Sequence, residues 1–426
     1  MSPLLARVVL SPVAVVVISL VSRAILDKLL ALQPDMGLLA HLAQAQSLYD
    51  LTAAVTLAGV GAGVAVFASR RDTDDHILMR DALIWGLLVT GCAAVALLAL
   101  TPAVNLVFGR EIAPAGLVGF LAVAGGFVFT ILGLFSALWT GRLERGRMIL
   151  LGLAQVTPVG FAVSGLLGPV TTTLVLGVQL IALLVIGAFL SAPVIGRAWR
   201  ERAQAPSWRA SPLKRYIVAG LSIGIMSPVS IMWSRAQLAH GLSWEEVSQL
   251  QALWRASEWV TGLAGSLIGL VYLPRMAAAA DRAAFTHQLE HTWKFLCIPG
   301  ALAIGALWAA QGVVIPLLYT DKFIMSAAAS GLFLLGDALR LASWVPLQGL
   351  FATERTKAVA IGEWLSLPLF AALLTALSVK SLVVAGACYA VTYAIYLAFN
   401  AWCVYRTPGR YRTAPDREPS GSPASA

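Results

Sequence analysis

The sequence predicts an all-α polytopic membrane protein of about twelve transmembrane helices, on three observations. Of its 426 residues, 59% are hydrophobic and 12% charged, about half the charged share of a soluble domain. The apolar residues gather into runs long enough to cross a bilayer, which takes about 20 residues each. Lys and Arg fall almost entirely on alternate connections between those runs, as the positive-inside rule requires.

The runs are 8–31, 38–68, 83–108, 113–140, 148–167, 170–195, 216–239, 247–273, 294–318, 325–352, 358–379 and 381–405. The first follows a single Arg7 and has no small-residue cleavage site before Arg23 and Lys28, so it reads as a retained helix rather than a cleaved signal. The second opens on His41, Gln44, Gln46, Ser47 and Asp50. Either its later part crosses the membrane, or this polar stretch lines a wet cavity. Gly61 and Gly63 within it read as close helix packing. Several runs exceed the bilayer thickness, which a helix accommodates by tilting.

Sidedness follows from the connections. With the N-terminus inside, the cytoplasmic face collects Arg70, Arg71 and Arg80, then Arg142, Arg145 and Arg147, then Arg197, Arg200, Arg202, Arg209, Lys214 and Arg215. It next takes Arg275, Arg282 and Lys294, then Arg355 and Lys357, then Arg406, Arg410, Arg412 and Arg417. The opposite face has Arg110, Lys322 and Lys380. Both termini are therefore expected in the cytoplasm. The net charge of +9 is a topology signal facing anionic lipid, not a nucleic-acid surface.

The connection 197–215, RAWRERAQAPSWRASPLKR, is the longest and most basic. It divides the chain into a six-helix lobe at 1–196 and another at 216–406. The tail 407–426 is rich in Pro, Ser and Ala and is expected to be disordered. A weak echo links the halves: SPV at 11–13 and SRA at 22–24, then SPV at 227–229 and SRA at 234–236.

Charges inside apolar runs are costly and face a cavity or a partner. They are Arg23, Asp27, Lys28, Asp50, Arg235, Arg255, Glu258, Asp337, Arg340 and Glu363. Arg255 with Glu258, and Asp337 with Arg340, stand at i, i+3, a spacing suited to pairing along one helix. Arg23, Lys28 and Arg235 come from the first helices of the two halves. Placed around one central cavity, they suit a multiply charged anion such as a pyrophosphate, Arg as a fork and Lys as a point charge. Asp337, Arg340, Glu363 and Glu258 are candidates for coupling or gating.

Other chemistries find little support. Cys92, Cys297, Cys388 and Cys403 form no C-x-x-C pair and read as small buried hydrophobes. His287 and His291 are i, i+4 beside Glu290, in a connection where a solvated face is the simpler reading. There is no P-loop pattern, and no catalytic triad or paired-carboxylate constellation stands out. No cofactor and no metal are expected.

From about 235 onward the residues form a recognisable series: Arg235, then Ser243, Trp244, Glu245, Glu246 and Val247, then Gln251, Ser257 and Glu258. VYLP at 271–274, DKF at 321–323, LGDALR at 335–340 and Glu363 in GEW continue it, and KLLA at 28–31 with Pro34, Gly37 and Leu38 precede it. In these the chain resembles the polysaccharide flippases of the multidrug/oligosaccharidyl-lipid/polysaccharide exporter superfamily. The resemblance is densest in 235–363 and faint in 80–215. It implies two six-helix lobes forming a V in a bacterial inner membrane. It also implies outward translocation of an undecaprenyl-pyrophosphate-linked oligosaccharide by alternating access, for surface polysaccharide such as O-antigen. A polymerase and a chain-length regulator would be pathway partners beside the lipid bilayer itself. Lys28, Arg235, Asp337, Arg340 and Glu363 fall on matching positions. Arg23 and Asp27 do not, and Arg255 replaces a small polar residue. A pyrophosphate role for Arg23 thus comes from its placement alone.

Two other functions compete. A small-molecule drug antiporter of the same superfamily would favour acidic cavity residues for cationic cargo, where this sequence offers basic ones. A membrane enzyme of glycan assembly, such as a polymerase, would need a large periplasmic loop, where every expected periplasmic connection is short. The sequence reading is a transporter, not an enzyme.

Overall fold

The computed structural model describes residues 20–61, 63–64, 67–68, 74–108, 112–142, 160, 170–200, 211, 213–268, 272, 275–276, 279, 281–353 and 355–406. The expected fifth span, 148–167, lies outside them except for residue 160, as do most of the central connection and the tail. Among the described residues helix is the regular structure throughout, with no strand.

In chain order the helices are α1 (20–31), α2 (Leu38–Thr56), α3 (Asp75–Phe108), α4 (Gly116–Arg142), α5 (Thr172–Arg200), α6 (Lys214–Gly241) and α7 (Trp244–Leu267). Then come α8 (Arg282–Thr292), α9 (Ile298–Ala309), α10 (Gln311–Leu318), α11 (Ala327–Ala352), α12 (Thr356–Trp364), α13 (Leu367–Ala376) and α14 (Leu382–Arg406). A π-helical turn extends α2 to Gly61, and another joins α8 to α9. Helix starts follow local chemistry. Ser243 caps α7 by accepting from the Glu246 N–H at 3.2 Å, and Asp281 caps α8 through Ala284 at 2.8 Å.

Two expected spans are interrupted. The run 294–318 breaks at Ala310, between α9 and α10. The run 358–379 breaks at Leu365 and Ser366, and Pro368 then sits in the first turn of α13, where its missing N–H breaks no helical bond. The loop expected at 197–215 is shorter than its bounds, because α5 runs through Arg200 and α6 starts at Lys214. Of the cysteines expected to be buried, Cys297, Cys388 and Cys403 are; Cys92 on α3 is exposed.

Among the described residues, seven stretches are long and apolar enough to cross a membrane: α3, α4, α5, α8 with α9, α11, α12 with α13, and α14. The helices outside this set are informative. α2 spends its middle on Gln44, Gln46, Ser47 and Asp50, and α7 carries Arg255 and Glu258. Polar residues at those places lower hydropathy, and these helices pack in the middle of the molecule, where neighbours rather than lipid cover them.

Buried apolar residues gather into separate clusters. One is built mostly from α7 to α14, with Trp254, Phe333 and Tyr389 in mutual ring contact and Phe370 against Tyr389. Another joins α1, α2, α4 and α5, with Met232 of α6. The early and late helices meet where α2 crosses α6. Gly224 permits that approach, since a Cβ there would stand 2.5 Å from the Ala54 carbonyl oxygen. Lipid supplies no hydrophobic drive between helices, so small residues and polar contacts must hold such a crossing.

Candidate functional site

At this crossing lies a polar cavity of about 200 Å³. Its lining follows from helical periodicity. Ala43, Ser47 and Asp50 share one stripe of α2 with Gln46 beside it; Ser227, Ile231 and Arg235 share one stripe of α6; Gln251, Trp254 and Glu258 share one stripe of α7. Arg23 enters from α1, Arg340 from α11 and Tyr389 from α14.

Arg235 is the most firmly held of the cations. Its Nε donates to Gln251 Oε1 at 3.0 Å, and its Nη1 donates to the Ala43 carbonyl at 3.0 Å and to Ser47 Oγ at 2.6 Å. These acceptors are neutral, so the guanidinium is positioned without being neutralised by contact. Arg23 donates from Nη1 to Glu258 Oε2 at 3.3 Å and from Nη2 to Gln46 Oε1 at 3.4 Å. Arg340 stands 4.0 Å from Asp337 and lies over the rings of Trp344 and Tyr393, 5.2 and 5.9 Å from their centroids. Asp50 has no hydrogen-bond or ion-pair partner among the described residues and is exposed into the cavity.

The expected pairing of Arg255 with Glu258 is corrected. Arg255 pairs with Asp27, both side chains 2% exposed, while Glu258 pairs with Arg23. The i, i+3 spacing does put both residues on one face of α7. That face lies against α1, whose Arg23 and Asp27 are i, i+4 and of opposite sign. Residue 23 meets 258 and residue 27 meets 255, two rungs of an antiparallel ladder. Gln46 Oε1 joins them, accepting from Arg23 and from Arg255 Nη2, the latter at 2.6 Å.

Lys28 is a second correction, because it does not line the cavity. Its ammonium donates to the Pro316 carbonyl at 3.0 Å and to the Tyr319 carbonyl. These belong to the end of α10, where carbonyls lack helical donors and the helix dipole favours a cation. Lys28 therefore fastens α1 to α10.

The candidate coupling acids divide. Asp337 is 1% exposed and accepts from Ser257 Oγ at 2.5 Å and Tyr389 Oη at 2.8 Å, with Arg340 beside it as its spacing predicts. Glu363 accepts from Tyr396 Oη at 3.1 Å and is not part of the cavity lining. Glu258 and Arg340 do line it. The basic cavity expected from sequence is thus a mixed one: Arg23, Arg235 and Arg340 face Asp50 and Glu258. Of the polar stretch for which the sequence offered a wet cavity, Gln46, Ser47 and Asp50 line this one. Gln251 was given no role in the site; its one-face spacing with Trp254 and Glu258 was the available signal.

No family model matches the chain. Over 143 residues it is 24% identical to the Lipid III flippase of Escherichia coli (strain K12). That match covers 33% of this chain and 34% of the relative, so only about a third of the relative's length is spanned. A multidrug resistance transporter of the MATE family in its inward-facing conformation superposes with a TM-score of 0.65 at 12% identity, covering 90% of this chain and 98% of its own. An outward-facing MATE transporter gives 0.55 at 12% identity, covering 94% and 96%. At such identities the likeness is one of fold, and the fold of this chain is that of the MATE transporters of the MOP superfamily.

Proposed function

We infer that the chain is a flippase that moves an undecaprenyl-pyrophosphate-linked oligosaccharide from the cytoplasmic to the periplasmic leaflet of a bacterial inner membrane by alternating access. The observation that carries this reading is the convergence of Arg23, Arg235 and Arg340 on one polar cavity. Guanidinium forks match the oxygens of a diphosphate. Gln46, Ser47, Ser227 and Gln251 offer amide and hydroxyl partners to sugar hydroxyls. The partial likeness to a lipid III flippase supports the same class of cargo.

The cavity volume adds a constraint. About 200 Å³ is below the roughly 300–1,000 Å³ of pockets for drug-sized ligands. An oligosaccharide enters only when the halves part. The ladder from α1 to α7 and the Lys28 contact to α10 close one end of the cavity. With the N-terminus expected in the cytoplasm, the C-terminal part of α1, with Asp27 and Lys28, and so that closed end, falls on the periplasmic side. A polymerase and a chain-length regulator of the same pathway would receive the product.

A second reading, a small-molecule antiporter, is favoured by Asp50 and Glu258, since carboxylates in the cavity suit a cationic cargo. Proteoliposomes separate the two. Labelled lipid-linked oligosaccharide should change leaflet when the protein is present, and a cationic dye should not be pumped. Dye transport without lipid flipping would replace the first reading by the second.

Asp337 and Glu363 are the acids we place in energy coupling, with Arg340 and Glu258 as gating partners. If so, an imposed proton gradient changes the wild-type flipping rate, and Glu363→Gln or Asp337→Asn removes that response. A wild-type rate indifferent to the gradient, or variants that respond as wild type does, would exclude these acids from coupling.

A further inference from the structure

The cavity holds two carboxylates that an anion-capturing site has no need of. Glu258 bonds Arg23 at 3.3 Å, and the two side chains are 40% and 39% exposed. A half-exposed pair of this kind is weak and exchangeable. The neighbouring Asp27–Arg255 pair, 2% exposed on both sides, is sealed from the cavity and is a fixture. Asp50 stands one turn from Ser47, which holds Arg235, and its carboxylate faces the cavity in the field of Arg23 and Arg235, with no hydrogen-bond or ion-pair partner among the described residues. Arg235 meanwhile is gripped only by neutral acceptors. Arg340 already has Asp337. The cavity's own charges are therefore balanced: two cations, Arg23 and Arg235, against two anions, Glu258 and Asp50.

A dianionic pyrophosphate upsets that balance. It takes Arg23 from Glu258 and brings its own charge beside Asp50. Both carboxylates then repel it at short range, across a cavity too small to screen them fully. Such repulsion weakens capture and speeds release. A carrier needs release as much as capture, because a substrate held equally tightly throughout the cycle does not leave. The carboxylates also give Arg23 and Arg235 an internal counter-charge for the empty return step.

We propose that Glu258 and Asp50 are resident counter-anions, which compete with the substrate's pyrophosphate for Arg23 and Arg235 and set its affinity and its release. This rests on the flippase reading above. It makes a counter-intuitive forecast: neutralising either acid tightens binding while slowing transport. A role in merely holding Arg23 in place forecasts the reverse for Glu258.

The test is binding of farnesyl pyrophosphate to the purified full chain in detergent, by calorimetry. Glu258→Gln and Asp50→Asn should each bind it about three- to ten-fold more tightly than wild type, the loss of one like charge across a wet cavity. The gain should shrink for farnesyl monophosphate and vanish for farnesol, which a general loosening of the fold would not reproduce. Flipping of lipid-linked oligosaccharide in proteoliposomes should fall in the same variants. Unchanged or weaker pyrophosphate binding by both variants, with wild type binding normally, overturns the counter-anion role and leaves the flippase reading intact. Failure of wild type itself to prefer the pyrophosphate over farnesol overturns that reading.

Discussion

Arg235→Ala is expected to abolish export of the lipid-linked glycan while the protein stays in the membrane at its normal level. The side chain is 7% exposed and fixed by α2 and α7 together, through Ala43, Ser47 and Gln251. That pre-organisation lets its charge act on a phosphate without first losing side-chain freedom. Hydrogen bonds to a charged group contribute about 1.5–3 kcal/mol each, so losing this one weakens head-group binding by about ten- to a hundred-fold. Arg235→Lys keeps the charge but cannot reach Gln251 and Ser47 at once, and should retain only part of the activity. Arg23→Ala should cost less, since Glu258 already offsets its charge. Lys28→Ala should act differently, loosening α1 from the end of α10 rather than removing a phosphate contact. Complementation of a flippase-deficient strain, scored by surface glycan and by protein level in membranes, orders these variants. Normal export by Arg235→Ala would remove it from the mechanism.

Much of the architecture was legible in the sequence, for a physical reason. Lipid demands continuous apolar runs, and the spans at 83–108, 113–140, 170–195, 325–352 and 381–405 come out as single helices near those bounds. The central helices carry more polarity. Their neighbours shield them from lipid, so α2 and α7 tolerate Gln46, Asp50, Arg255 and Glu258, and these helices come out shorter than the runs at 38–68 and 247–273. The breaks at Ala310 and Leu365 were missed because the residues on both sides of each keep an apolar composition. Within the site, Arg23 and Arg235 were placed from charge cost and their positions on the first helices of the two halves, and the Asp337–Arg340 pair from its spacing. Partner identity was the part that could not be read. Spacing along α7 made Arg255 and Glu258 look like a pair, and only the packing of α1 against that face shows each taking its partner from the neighbouring helix. Lys28 failed likewise, because the carbonyls it bonds belong to α10, far along the chain.

Asp27→Asn is expected to destabilise the protein severely, and Arg255→Gln to do the same, whereas the double variant should recover most of the loss. Both side chains are 2% exposed. Removing one partner strands the other charge in a medium that cannot solvate it, at roughly 3–5 kcal/mol for a buried pair. Gln46 can share its oxygen with Arg255 but cannot neutralise it, and Arg255 Nε has no partner among the described residues. Neutralising both removes the stranded charge, which is the larger part of what either single change costs. The measurement is a double-mutant cycle on the melting temperature in detergent, with protein recovery from membranes as a second readout. A coupling energy of a few kcal/mol is expected; additive single effects would mean that the two residues do not pair. Transport by the recovered double variant then separates stability from mechanism. The rungs tie α1 to α7 across the junction of the halves, and opening that end of the cavity must break them. A neutral rung holds the closed end less firmly than an ionic one in a dry site. The double variant should therefore be stable, yet flip lipid at a rate different from wild type, with its population shifted towards the state opened at that end. Distances between spin labels placed across that end would show the shift, and an unchanged distribution together with an unchanged rate would mean that the pair stabilises the fold without gating it.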